Sequence, residues 1–328
     1  MIDLNLFGGF MKNNFISTVV IHCLLFTIHI AKAYAGVDSN GNVMTRIDPG
    51  EIKKTVDSLT RNKRSDREKI QAIYQWVRTN IAYDEQRLET FGTINFRDRS
   101  IDSTFYLRKG VCMDFARLTC NMASLAGLKC EVVYGFGRYD ERDFFRPPDE
   151  LRHAWNAVYI DNKWLFMDPT WAGKNIKNNL VDNYFLVSPE AFIYSHFPDD
   201  KKWLLLNQSL TYDDFEKLPV VRSRFFETIK AAPPKKGVYT TSKNFIVIEE
   251  LPIDSKIAEN LEARVVNSTT DEEIVDADFT WVMQNGHSFL KVTIPEKGKY
   301  HVSIITQEKV DENFSIDVDL VTFLVERK

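Results

Sequence analysis

Two residues, Asp161 and Asn162, stand between the apolar runs 153–160 and 163–168, and this spacing constrains the fold more than any other feature of the chain. Both tolerate positive φ, so they predict a two-residue hairpin turn between strands at about 153–160 and 163–168. In such a hairpin Trp155 faces Asp168 and His153 faces Thr170. Alternate strand residues share a face, so His153 and Asp168 become diagonal neighbours on one face, close enough for the carboxylate to hold an imidazole nitrogen. A turn longer by one residue would break this parity.

Helical signals precede the hairpin. Asp48, Pro49 and Glu51 offer an N-cap, a first-turn proline and an acidic third position, and Ile52, Val56 and Leu59 follow at helical spacing. Ser65 and Glu68 repeat the capping box before the stripe of Ile70, Ile73, Tyr74, Val77 and Ile81, which predicts a helix over about 66–80. The stretch 84–103 is polar and aperiodic and is expected to be a surface loop. Phe115, Leu118, Met122 and Leu125 then recur at helical spacing until Gly127, which places Cys112 at a helix N-terminus. The run 130–136 reads as a strand, and 140–150 as a charged loop.

After residue 230 the texture changes. The segment AAPPKKG (231–237) reads as a linker, and six or more short strands follow it with almost no helical period, which predicts a β-sandwich. The expected organisation is a segment 1–35 to be removed, an α+β domain over 36–230 and a β-sandwich domain over 231–328. The removable segment is inferred from Lys12, the apolar run 15–30 and the small-residue site at Ala33 and Ala35, which together form a secretory signal peptide cut after Ala35. A retained anchor is the alternative, but the run is shorter than the ~20 residues that span a bilayer. A secreted or periplasmic protein is expected.

Hydrophobic residues at 44% and charged residues at 27% suit a soluble body with a full core. A net charge of −4, without any basic run, argues against a nucleic-acid partner. There is no HExxH, CxxC pair or zinc-spaced Cys/His cluster, so no metal and no cofactor are expected. Loss of the signal segment takes Cys23 and leaves Cys112, Cys120 and Cys130, an odd number. Cys120 and Cys130 are expected as core thiols, a disulfide between them being the alternative that export permits.

A thiol at a helix N-terminus feels the positive end of the helix dipole, which favours the reactive thiolate. Free cysteines are also among the most buried residue types, so Cys112 has to be weighed with its partners. An imidazole backed by a carboxylate, with a thiol on a separate helix end, makes up an activated nucleophile: Cys112, His153 and Asp168. The segments RKGVCMDFA (108–116), HAWNAV (153–158) and KWLFMDPTW (163–171) closely resemble, in that order, the Cys, His and Asp boxes of the transglutaminase-like superfamily. YFLVSPE (184–190), HFPD (196–199) and WLLL (203–206) resemble the segment downstream of the core in the kyphoscoliosis peptidase family.

The resemblance covers roughly 65–220 and implies a papain-like α+β core. Within it Cys112 would be the nucleophile, His153 the base then acid, and Asp168 the orienting carboxylate. The expected activity is that of a cysteine peptidase or amidase acting on a protein or peptide through a thioester. The alternatives are a cross-linking acyltransferase and a catalytically inactive binding scaffold. A cell-envelope or protein partner is expected on the β-sandwich. Gln86 and Tyr83 are candidates for the second oxyanion donor beside the Cys112 N–H. Trp155 and Trp171 are read as packing rather than walls of the site, and His196 as a structural loop residue.

Overall fold

The computed structural model describes residues 50–90, 98–174, 184–274, 277–284, 287–309 and 315–328. The apolar segment 15–30, its Ala33–Ala35 site and the cap residues Asp48 and Pro49 lie outside these. Among the described residues no helix is long and apolar enough to cross a membrane.

The first helix, Glu51–Thr60, starts after Gly50 and buries Ile52 and Val56. The second, Asp66–Asn80, opens with the expected capping box: Ser65 Oγ accepts from the Glu68 N–H, and Glu68 Oε2 accepts from the Ser65 N–H. Both helices pack their apolar stripes on Phe115, Leu118 and Met122 of the helix Cys112–Leu125. The expected surface loop is only partly a loop. It holds a short helix, Glu85–Leu88, and a helix Ile101–Leu107 begins near its end, while 91–97 lie outside the described residues.

Strand β1 (Ala82–Tyr83) pairs in parallel with β2 (Lys109–Gly110), which sets Tyr83 opposite Gly110 just before the Cys112 helix. Only glycine fits at 110, since a Cβ there would lie 2.7 Å from the Asp114 Cβ. Asp114 closes that helix start by accepting from the Val111 N–H at 2.9 Å and pairing with Arg87.

Against the helix lies an antiparallel sheet of β3 (Cys130–Gly137), β4 (Arg152–Ile160), β5 (Lys163–Met167) and β6 (His196–Pro198), in the order β5-β4-β3-β6. Asp161 and Asn162 both have positive φ, 52° and 61°, and the β4–β5 register runs from Ile160↔Lys163 to Asn156↔Met167, the pairing read from the sequence. Asn156 ties sheet to helix by donating to the Ala116 carbonyl at 2.9 Å. Cys120 and Cys130, expected as thiols, are joined as a disulfide between the helix and β3, with their Cα atoms 5.1 Å apart. Cys112 is the free cysteine among the described residues.

The C-terminal part has two facing sheets, as its texture predicts. Strands β7 (Val220–Val221), β8 (Val238–Thr241), β9 (Phe245–Leu251), β10 (Leu261–Asn267), β11 (Phe279–Gln284), β12 (His287–Thr293), β13 (Gly298–Lys309) and β14 (Ser315–Arg327) divide between them. One sheet is β10-β13-β14-β7 with β8 parallel to β14; the other is β11-β12-β9. Ile248 and Leu290 of one and Val302, Ile304 and Phe323 of the other fill the space between. The fold class is therefore α+β with an all-β sandwich at the C-terminus.

The segment 231–237 does not behave as a free connector. Pro233 and Pro234 are buried. Tyr194 Oη donates to the Pro233 carbonyl at 3.0 Å, the Gly237 N–H donates to Lys217 O at 2.7 Å, and Gly237 O accepts from the Leu324 N–H at 2.8 Å. β7 precedes the segment yet pairs with β14, and one apolar core runs from Ile193 through Phe225 to Val325. Packing thus crosses the point where composition alone suggests a boundary, because the residues just before 231 supply an edge of the tail's sheet.

Candidate active site

Cys112 is the first residue of its helix, entered through Val111 in extended conformation, and it is half-buried. His153 projects from β4 and Asp168 follows β5 directly, so the hairpin register brings them together: His153 Nε2 donates to Asp168 Oδ2 at 2.8 Å. That bond leaves Nδ1 as the imidazole nitrogen open to the thiol, and Cys112 adds to the upward push on the imidazole. The structure joins two of the three residues predicted from the sequence, His153 and Asp168, and Cys112 acts on the same imidazole electrostatically.

Asp168 is fully buried and does two jobs with two oxygens. Oδ1 accepts from the N–H groups of Thr170 (2.8 Å) and Trp171 (3.3 Å), capping the following helix, Pro169–Lys174, while Oδ2 faces the imidazole. A second imidazole also reaches Oδ2: His196 Nε2 lies 3.4 Å from it, and His196 Nδ1 lies 2.8 Å from Ser195 Oγ. The reading of His196 as a loop residue is therefore corrected. It is the first residue of β6, is buried, and contacts the carboxylate of the pair.

Aromatic rings enclose the two imidazoles. Trp171 stacks on His153 with ring centres 4.5 Å apart, and Phe192 stacks on His196 at 3.8 Å. Trp155 meets His196 edge-on at 4.9 Å. Trp155 and Trp171 are both buried, so they are packing residues as expected, but much of what they pack against is imidazole. Gly137 makes room for this arrangement, since a Cβ there would lie 2.8 Å from the Trp171 ring and 3.0 Å from His153 Cδ2.

The charges follow from this geometry. Burial alone would push His153 down, but the Asp168 charge and hydrogen bond, followed by Cys112, outweigh it and push the imidazole up to about 10. Burial likewise opposes ionisation of Asp168, yet the His153 charge and the bonds from His153 and His196 hold its carboxyl well below the usual range. His196 goes the other way. Burial pushes it down to about 4, only partly offset by Asp168, and it is neutral at pH 7. An ionised Asp168 can only accept, so neutral His196 carries its proton on Nε2, while Nδ1 lies beside a Ser195 hydroxyl that is also within reach of the Phe192 carbonyl at 3.2 Å. His153, Asp168 and His196 also group their donor atoms within 4.8 Å, a spacing open to a metal ion. The hydrogen bonds already made between these atoms account for their proximity without one.

Of the two oxyanion candidates, Gln86 is exposed. The Tyr83 phenol is pushed up by burial first and then by neighbouring negative charge, that of Cys112 foremost, which puts it within electrostatic reach of the thiol.

Residues 53–169 match the family model of the transglutaminase-like superfamily. Kyphoscoliosis peptidase of Mus musculus is 31% identical over 216 residues, 60% of this chain and 31% of that protein. Lim and transglutaminase domain protein ltd-1 of Caenorhabditis elegans is 26% identical over 216 residues, 59% of this chain and 29% of that protein. Among solved structures, a crystal structure of a TGase matches 43% of this chain and 35% of its own at 23% identity and a TM-score of 0.31. The chain spans about a third of the length of the curated relatives it matches. The match to the transglutaminase-like family model over 53–169 takes in Cys112, His153 and Asp168.

Proposed function

We propose that this chain is an exported thiol hydrolase of the peptidase or amidase type, with Cys112 as nucleophile, His153 as acid and base, and Asp168 as orienting carboxylate. The observation that carries the reading is the buried His153–Asp168 bond at 2.8 Å, which leaves the other imidazole nitrogen for a half-buried thiol at a helix N-terminus. The Cys112 thiolate attacks the amide carbonyl carbon and forms a C–S bond. The tetrahedral oxyanion collapses, the C–N bond breaks, and the departing amine takes the proton from the His153 imidazolium. Neutral His153 then takes a proton from water as its oxygen attacks the thioester. The C–S bond breaks, and the acid and the thiolate are released.

The Cys112 N–H and the Tyr83 hydroxyl are the proposed oxyanion donors. The substrate class is a protein or peptide, consistent with the domain and with the name of the mouse relative. No observation favours an amine over water as acyl acceptor. The C-terminal sandwich is proposed to contact a cell-envelope or protein partner.

An acylating probe such as p-nitrophenyl acetate tests the chemistry. Intact-mass analysis should show one acetyl adduct on Cys112 in the wild type and none in Cys112→Ala. No adduct on the wild type under reducing conditions would reject the enzyme and leave the binding scaffold. Export has its own measurement, because the mature protein should begin at Gly36, after the Ala33–Ala35 site. A chain recovered with residues 1–35 intact would overturn it.

A further inference from the structure

The Asp168 carboxylate is fully buried and accepts four hydrogen bonds, two on each oxygen. Three of the four donors have an evident role: His153 is the proposed base, and the Thr170 and Trp171 N–H groups belong to the helix that Asp168 caps. The fourth, His196, comes from β6, an edge strand 28 residues further on, and reaches the same Oδ2 as His153. Its ring is 1% exposed, is held between Phe192 and Trp171, and is oriented at Nδ1 by Ser195.

We propose that His196 is a positioning residue for the thiol chemistry, a permanently neutral donor that keeps Asp168 ionised and aimed at His153 while His153 itself is uncharged. The inference rests on the triad reading above. Through one catalytic cycle His153 alternates between imidazolium and imidazole. In its charged state it neutralises Asp168. Once its proton has gone to the leaving amine, a carboxylate with no exposed surface has lost its counter-charge, and an isolated buried charge is strongly disfavoured. At that stage only neutral donors can hold it. The two backbone N–H groups act on Oδ1, so His196 supplies the donor on Oδ2 besides His153 itself. His196 is suited to this because burial keeps it neutral and the acceptor-only carboxylate keeps its proton on Nε2. The bond is long, 3.4 Å, which leaves the stronger 2.8 Å interaction to His153.

The step most dependent on neutral His153 is deacylation, when it takes a proton from water. Alkylation of the resting thiol by iodoacetamide samples the other state, in which His153 is charged. His196→Phe keeps the ring stacking and removes the donor. After a pulse of p-nitrophenyl acetate, decay of the acetyl group on Cys112 should slow about tenfold, the loss suited to one hydrogen bond to a charged group. Iodoacetamide alkylation of the same variant should change by less than about twofold, since its resting pair needs His196 least. His196→Gln, which retains a side-chain N–H, should recover most of the deacylation rate. If His196→Phe does not fold, Ser195→Ala removes the polar partner that orients the ring at Nδ1 and should slow deacylation by a smaller factor with the same selectivity.

Unchanged deacylation in a folded His196→Phe variant overturns the inference. So does an equal fall in deacylation and alkylation, which would mark a purely structural role. A wild type that never acetylates at Cys112 removes the triad reading, and the positioning role goes with it.

Discussion

Asp168→Asn is expected to lower turnover of p-nitrophenyl acetate by roughly 10²–10⁴-fold while the chain stays folded. The geometry gives the reason. An amide at 168 can keep its oxygen at the Oδ1 position, accepting from Thr170 and Trp171, so the helix cap survives. Its nitrogen then takes the Oδ2 position, where it presents N–H groups to two imidazole nitrogens that were themselves donors. His153 can satisfy that amide only by accepting at Nε2, which moves its proton to Nδ1, the nitrogen that must receive a proton from the thiol or from water. The variant also removes the charge that raises His153, and burial then favours the neutral ring.

One buried hydrogen bond lost costs about 1–3 kcal/mol, against a typical net stability of ~5–15 kcal/mol. A lowered but clear thermal transition is therefore expected alongside the loss of turnover. Full turnover in a folded Asp168→Asn variant, with Cys112→Ala and His153→Ala inactive, would reduce the site to a Cys-His dyad and make Asp168 a capping residue only.

A chain cut after Lys230 is expected to aggregate, although the sequence alone suggests that it should stand as an independent domain. Nine buried residues between 193 and 229 belong to the same apolar core as the sandwich, among them Phe197, Phe215, Leu218, Phe225 and Ile229. Losing even half of their burial, at roughly 1.5–3 kcal/mol per fully buried side chain, amounts to about 7–13 kcal/mol. That is as large as the whole net stability of a typical protein, ~5–15 kcal/mol. β7 would lose its partner β14, and Arg222, which donates to Tyr139 O and pairs with Glu141, would sit on a strand end with nothing behind it. Expression of residues 36–230 followed by gel filtration and thermal unfolding is the measurement. A soluble, cooperatively unfolding fragment would show that the α+β part folds without the tail.

The difference between these two cases shows which kinds of information the chain carries locally. The Ser65–Glu68 box, the helix beginning at Cys112 and the Asp161–Asn162 turn each depend on dihedral preferences and side-chain reach within a few residues, so their spacing was enough to read them. The pairing of His153 with Asp168 was legible for the same reason: once a two-residue turn sets the register, strand alternation determines which side chains share a face. The helix-N-terminal setting of Cys112 suggests it as their partner, and the likeness of three boxes strengthens that reading, because a helix and a hairpin meet at no fixed offset in sequence.

What the sequence by itself determined is thus the set of local elements, the hairpin register and the alternation of buried and exposed strand residues. Only the tertiary structure decided that β6 joins β3 and delivers His196 to Asp168, that Cys120 meets Cys130, and that the 231–237 segment is strapped down by Tyr194 and Lys217. The physical reason is common to all three. Periods of 3.6 and 2 residues encode backbone dihedrals and faces, whereas a contact across tens of residues depends on how whole layers stack. That is settled by the summed burial of many side chains, none of which marks its distant partner in the sequence.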